Sequence, residues 1–305
     1  MKKAIISGAT GLIGMAVTRY FSSLGIETLC LGRQALSPED IRSNFGTGSS
    51  YLSLAMEELA SLAERVDLMA WAPGPECIFF NFAWRGCEKL ADGSFGDQLS
   101  NAVHAAEAVR VAKNLGCIKF VSTGTLEESL VERFLAGNSD GPYHSAQTNY
   151  ALAKLAARDM CKMVAYLEKI DYVHTRLSVP MAPDLSRGTY VATTLKKIAE
   201  GLPYEAPSNK QLFDIVFLDD VARAYYLIGN QGKNKADYFI GTSRPATLSQ
   251  YFARFERIVS NRCSDDANPV AATENSLFST ATIHHDTGFV ASTRLHDIIE
   301  KVRNQ

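Results

Sequence analysis

The sequence predicts a doubly wound α/β fold, in which parallel strands alternate with helices packed on both faces of one sheet. Three observations carry that prediction. The chain starts with an apolar run, a glycine-rich turn and a helical segment; further continuous apolar runs follow in its first half; and helix-length periodic segments separate them.

The first unit organises the rest. Lys3 to Ser7 has strand length and leads into Gly8-Ala9-Thr10-Gly11-Leu12-Ile13-Gly14, after which Met15 to Leu24 carries apolar residues at helical spacing. A strand, a glycine turn and a helix start in this order form the layout that binds a dinucleotide pyrophosphate. Gly8 makes the tight turn, Gly11 lets the backbone approach the phosphates, and Gly14 lets the helix pack on the strand. Unpaired N–H groups at the helix start and the helix dipole favour an anion there. The expected cofactor contacts are therefore Gly8, Thr10, Gly11, Leu12, Ile13 and Gly14.

Glu27 to Leu31 reads as the second strand, ending at Gly32-Arg33. A carboxylate at this point would bond the ribose 2′-OH of NAD, whereas an Arg neutralises a 2′-phosphate, so Arg33 tilts the expectation to NADP, with NAD as the alternative. Ser37 to Ser50 is a capped helical turn plus loop, Tyr51 to Leu54 a short third strand, and Met56 to Val66 has helical spacing. Asp67 to Glu76 is a loop. Cys77 to Ala83 is a continuous apolar run, as a strand buried on both faces requires. Leu99 to Leu115 reads as a long amphipathic helix stopped by Gly116. Cys117 to Ser122 is another buried strand, leading into Thr123-Gly124-Thr125-Leu126-Glu127-Glu128.

Composition narrows the function classes. A chain of 305 residues with 46% hydrophobic and 21% charged residues reads as an ordinary globular protein, and a net charge of -2 gives no basic surface of the kind that would argue for nucleic acid. The six cysteines (Cys30, Cys77, Cys87, Cys117, Cys161, Cys263) form no CxxC pair and lie mostly in apolar stretches, which predicts buried reduced thiols. No apolar run reaches the roughly 20 residues that span a bilayer, and the cofactor strand follows Met1-Lys2 directly, leaving no separate signal peptide. The expectation is a cytoplasmic protein with neither membrane nor nucleic-acid partners.

Tyr150-Ala151-Leu152-Ala153-Lys154 puts a phenol and an ammonium on one face of a helix that begins after the polar segment Ser139 to Gln147. A free phenol has a pKa of about 10, and a neighbouring cation favours its phenolate, which suits proton exchange at an alcohol oxygen while a hydride moves.

Taken together, the glycine motif at 8 to 14, the Ser/Thr-rich strand end at 122 to 125 and the Tyr150/Lys154 pair resemble the extended branch of the short-chain dehydrogenase/reductase superfamily. Asp214 to Ala224, Tyr238 to Thr242 and the closing Asp286-Thr287-Gly288-Phe289 extend the resemblance to about residue 300. It implies an NAD(P)-dependent enzyme acting on a nucleoside-diphosphate sugar. It implies Tyr150 as acid/base, Lys154 on the nicotinamide ribose, and a hydroxyl on the sugar oxygen from Thr125, with Thr123 the runner-up because a small slip exchanges them. It puts Asn81, Ala83 and Trp84 beside the cofactor and Asn101 on the helix facing the site; Trp84 as plain core and Asn101 as a solvated residue are the competing readings. Substrate contacts are thus expected from Trp84, Thr123, Glu127 and Asn101.

Departures from the family pattern shape the expected reaction. Where its dehydratases carry an Asp-Glu pair after the threonine, this chain has Leu126-Glu127; leucine donates no proton, and Glu127 serves at most as a base. Glu127 and Glu128 as solvated loop charges is the plain alternative. Val179 stands in place of a diphosphate-contacting Asn, and Phe213 in place of an Arg; Lys196, Lys197, Arg187, Lys210 or Arg244 are candidate replacements. Hence 4-keto reduction is the first expectation, 4-epimerisation the second and dehydration the third, with a non-catalytic NADP-sensing protein as the reading of another class. A Rossmann-type domain is expected over 1–177 and 212–241, a smaller substrate lobe over 178–211 and 242–305, and, by analogy with the family, a homodimer.

Overall fold

In the computed structural model, residues 1–86, 94–137, 148–186, 189–208, 210–260 and 276–298 are described. Seven parallel strands form the central sheet: β1 (Lys3–Ser7), β2 (Glu27–Gly32), β3 (Ser49–Ser53), β4 (Cys77–Asn81), β5 (Lys119–Thr123), β6 (Asp171–Leu177) and, later in the chain, Asp237–Ile240. Their spatial order runs from Asp237–Ile240 through β6, β5, β4 and β1 to β2 and β3, so the order reverses beside β1. That reversal opens a crevice at the carboxyl ends of β1 and β4, where open α/β sheets take their ligands.

Helices cover both faces. α1 (Leu12–Ser23) and α2 (Pro38–Phe45) follow the first two strands, and Ser37 caps α2 by accepting from the Asp40 N–H. After β3 a 3₁₀ turn (Met56–Ser61) leads to α3 (Leu62–Leu68), then α4 (Phe95–Asn114), α5 (Leu126–Leu135) and α6 (Thr148–Glu168) follow. The expected helix at 99–115 thus starts earlier, where Ser94 caps it. α5 was not expected: the segment read as a strand end and charged loop is a ten-residue helix. The polar segment 139–147, like Cys87 and Cys263, lies outside the described residues.

The chain then makes β7 (Val179–Met181), α7 (Tyr190–Ala199), β8 (Leu212–Phe213), β9 (Ile215–Phe217), α8 (Leu218–Gln231), β10 (Asp237–Ile240), β11 (Ala246–Thr247), α9 (Leu248–Val259) and α10 (Ala281–Thr287). β7 pairs with β9 and β8 with β11, outside the main sheet. One group of core residues lies on each face of the main sheet; a third joins Leu195, Phe217, Phe252 and Ile298. Phe213 and Val179 pack against this third core, which gives an apolar reason for both departures noted above.

Buried charges tie the segments together. Asp214 is fully buried and accepts from the Thr242 and Ser243 N–H groups at 2.9 and 3.0 Å and from the Thr242 hydroxyl at 2.5 Å; burial pushes its carboxyl up to about 6. Lys119 donates to the carbonyls of Ile228, Gly229 and Gly232 at 3.2, 2.9 and 2.9 Å, a cation on the carboxyl end of α8. Cys30, Cys77, Cys117 and Cys161 are buried free thiols, and burial raises Cys30 to about 12. Among the described residues, no helix is long and apolar enough to cross a membrane.

Candidate active site

The glycine turn is built as tightly as its composition requires. Gly8 has φ +68°, and a Cβ there would stand 2.7 Å from the Ala83 nitrogen; one on Gly14 would stand 2.3 Å from the Gly8 carbonyl oxygen. Side chains are therefore excluded at both positions by backbone atoms that have nowhere to go. Gly11 caps α1 without any side-chain bond, and the first turn of α1 holds no acidic residue, so the helix start keeps its N–H groups and positive dipole end for an anion.

A cavity of about 460 Å³ opens over this turn. Ser7, Gly8, Thr10, Gly11, Leu12, Ile13 and Gly14 form its floor, and Leu31, Gly32 and the exposed Arg33 close one end. Leu54 to Met56 with Leu59 line it beyond β3, Phe82 to Arg85 beyond β4, and Thr123 at the end of β5; Pro180 and Thr189 reach it from the segment of the third core. Asn81 lies just beneath, buried, its Oδ1 accepting from the Ser7 hydroxyl at 2.5 Å.

At the β5 side, the Lys154 ammonium donates to the Thr123 carbonyl at 2.8 Å and stands 3.8 Å from the centre of the Trp84 ring. The Tyr150 ring meets Trp84 edge-on at 6.0 Å, and the Trp84 Nε1–H donates to Gln98 Oε1 at 2.7 Å. Trp84 and Thr123 line the cavity that the glycine turn floors, so the Tyr150 ring and the Lys154 ammonium each contact a residue of its lining without being in that lining themselves.

Other expected residues take different posts. Thr125 is the N-cap of α5: its Oγ1 accepts from the Glu127 N–H at 3.4 Å, and its own N–H donates to Glu128 Oε1 at 2.9 Å. Thr123, two residues earlier, is the one in the lining. Asn101 is neither solvated nor in the lining; it is buried and holds the backbone of Arg85, accepting from its N–H at 2.8 Å and donating to its carbonyl at 3.1 Å. Glu127 is half-buried in the first turn of α5. Leu126 packs against Phe239 and Phe278, an apolar role that explains why no acid stands there.

Glu128 is not a solvated loop charge. It is fully buried, bonded to His174 Nε2 at 2.8 Å and to Arg176 Nε at 3.2 Å. Burial pushes its carboxyl up, but His174, Arg176 and Lys154 together outweigh that and hold it at about 2. The Thr-x-x-Glu capping box at 125–128 was the signal that announced both α5 and this carboxylate. Arg85, paired with Glu57 at the cavity edge, and Tyr225, bonded to Thr123, carried no motif that marked them.

Among comparisons with known proteins, no curated protein matches the chain in sequence. Solved structures of the same fold include UDP-glucose 4-epimerase of Thermotoga maritima with UDP-glucose (17% identity, TM-score 0.71, covering 99% of each chain). The enzyme WbmF of Bordetella bronchiseptica with NADH is similar at 17% identity and TM-score 0.72, covering 99% of this chain and 91% of that one. A UDP-glucuronic acid 4-epimerase variant of Bacillus cereus with NAD and a fluorinated UDP-sugar is similar at 15% identity and TM-score 0.72, covering 99% and 98%. The family model described as the NAD dependent epimerase/dehydratase family matches residues 4–241, the span that holds the glycine turn, the crevice and the Tyr150/Lys154 pair. The chain belongs to the NAD-dependent epimerase/dehydratase family.

Proposed function

We propose that this protein is an NAD(P)-dependent enzyme that moves a hydride at a single carbon of a nucleoside-diphosphate sugar, with Tyr150 exchanging the proton. The observation that supports this reading is the contact of Lys154, one helical turn from Tyr150, with both Trp84 and Thr123, which line the cavity over the glycine turn. The cradle suits a dinucleotide: Gly8 and Gly14 leave no space for side chains, and the uncapped start of α1 suits a pyrophosphate.

When bound, the nicotinamide supplies the acceptor and donor of the hydride. Tyr150 takes the carbinol proton or returns it, Lys154 keeps a positive charge beside the phenol, and Thr123 rather than Thr125 hydrogen-bonds the sugar oxygen. Arg33 favours NADP over NAD. The Rossmann domain at 1–177 and 212–241 and the substrate lobe at 178–211 and 242–305 belong to this reading, supported by the separate third core. So does a homodimer, supported by the exposed Val103 of α4 and Met163, Tyr166 and Leu167 of α6.

Epimerisation is the net reaction we put first, because the family match favours it and the buried Leu126 leaves dehydration without its acid. Net reduction of a 4-keto sugar is the second reading, favoured by Arg33. The test is a thermal-shift screen of sugar nucleotides and their 4-keto derivatives with NADH or NADPH, followed by turnover. Epimerisation leaves the nicotinamide absorbance unchanged while the product changes; reduction consumes it stoichiometrically. Tyr150→Phe is expected to lower turnover by about 10² to 10⁴ with cofactor affinity kept; an unchanged rate would return the chain to the sensing-protein reading.

A further inference from the structure

Beneath the cavity wall runs a chain of hydroxyls that Thr123 shares with residues far along the sequence. Thr123 Oγ1 lies 2.7 Å from the Tyr225 hydroxyl, which lies 2.8 Å from Thr175 Oγ1, which donates to the Ser122 carbonyl at 3.0 Å. Thr175 and Tyr225 are fully buried, and Thr123 is the member that lines the cavity. The Tyr225 ring is held edge-on by Phe82 at 4.8 Å and by Phe80 at 6.3 Å, so its hydroxyl has one place to be. Burial pushes its phenol well above the ordinary tyrosine range, which keeps one proton on it.

The direction of this chain follows from its end. A carbonyl only accepts, so the Thr175 proton points to Ser122. Tyr225 must then donate to Thr175, and Thr123 to Tyr225, since each hydroxyl has one proton. Reversing the chain so that Thr123 donates into the cavity forfeits the bond to the Ser122 carbonyl, about one neutral hydrogen bond.

We propose that Tyr225 is a positioning residue that turns the Thr123 proton inward, so that the site presents an acceptor and receives its substrate as a hydroxyl rather than as a ketone. In the resting complex a carbinol donates to Thr123 and keeps the chain in its resting direction, and its one proton swings from Thr123 to Tyr150 as the hydride leaves; a ketone oxygen offers no proton and binds only after the chain reverses. One neutral hydrogen bond sets the preference at about fivefold in favour of the alcohol. Such a site suits an enzyme whose substrate and product are both carbinols and whose ketone is transient, which deepens the epimerase reading and rests on it.

Thr175→Val separates this role from a structural one. Without the Thr175 hydroxyl, the Tyr225 proton has only Thr123 to go to, and the Thr123 proton turns into the cavity. The probes are UDP-6-deoxyglucose with the reduced cofactor and UDP-4-keto-6-deoxyglucose with the oxidised cofactor, pairs that cannot turn over, together with their dTDP and CDP counterparts. By calorimetry, Thr175→Val is expected to shift the alcohol-to-ketone affinity ratio toward the ketone by at least about fivefold; equal loss for both ligands, or no change, overturns the proposal. Neutron diffraction of the deuterated, ligand-free protein reads the chain without any sugar. A deuteron on Thr123 directed at Tyr225 supports it, and a Tyr225 deuteron directed at Thr123 overturns it. If the deuterons stand as expected and none of the sugar nucleotides binds, the direction of the chain is upheld and the sugar-nucleotide reading falls.

Discussion

The Lys154 ammonium stands 3.8 Å from the centre of the Trp84 ring while donating to the Thr123 carbonyl at 2.8 Å. A buried cation is thus held from two sides, by a ring face on the loop after β4 and by the backbone at the end of β5. Both holders border the crevice, so the Lys154 ammonium is fixed against two residues of its lining.

Trp84→Leu removes the ring face and the bond to Gln98. A desolvated cation–π contact is worth about 2 kcal/mol, so NAD(P)H is expected to bind up to roughly thirtyfold more weakly, read by nicotinamide fluorescence titration. Unchanged affinity would mean that Trp84 is core and nothing more.

Two glycine substitutions are expected to act in opposite directions. Gly14→Ala drives a methyl against the Gly8 carbonyl and is expected to cost about 1–3 kcal/mol in urea unfolding and to abolish cofactor binding. Gly96→Ala in α4 meets no atom within 4 Å and is expected to stabilise by about 0.5–1 kcal/mol with binding intact. Equal effects at the two sites would remove the packing account of the glycine turn.

Arg33→Ala tests cofactor choice at the end of β2. NADPH affinity is expected to fall by about tenfold or more, from loss of a charge-assisted bond, with NADH affinity unchanged. A parallel loss for both cofactors would assign Arg33 to general electrostatics and favour NAD.

Acid stability should carry the mark of Glu128. Its folded carboxyl sits at about 2, below the unfolded value of about 4.3, so its contribution is present above about pH 4 and is lost as pH falls toward 2. Asp214 has the opposite sign: raised to about 6 by burial, it favours the fold below its unfolded value of about 3.9 and loses that contribution as pH rises through 6. Glu128→Gln leaves His174 and Arg176 facing a neutral amide and is expected to cost about 3 kcal/mol at neutral pH and to flatten the acid limb in urea melts. A limb that persists would have another carboxylate as its source.

Much of the site was legible because its signals are local. The strand, glycine turn and helix start at 3–24 lie in one short window, and so does the spacing of Tyr150 and Lys154 along α6. The start of α5 is local as well: the Thr-x-x-Glu capping box at 125–128 lies in four residues, whereas the burial of Glu128 depends on His174 and Arg176 from β6. Which of Thr123 and Thr125 borders the crevice depends on where β5 ends, and Thr123, its last residue, is the one in the lining.

By itself, then, the chain's order of residues determined the parallel sheet, the anion-ready turn and the phenol–ammonium pair, because periodicity, turn chemistry and helical spacing act within a few residues. Tertiary structure alone decided that Thr123 lines the crevice, that Glu128 is buried against His174, and that the Tyr225 hydroxyl meets Thr123 from 102 residues away. Those facts depend on which side chains the packed sheet and helices bring together, and no short stretch of sequence carries them.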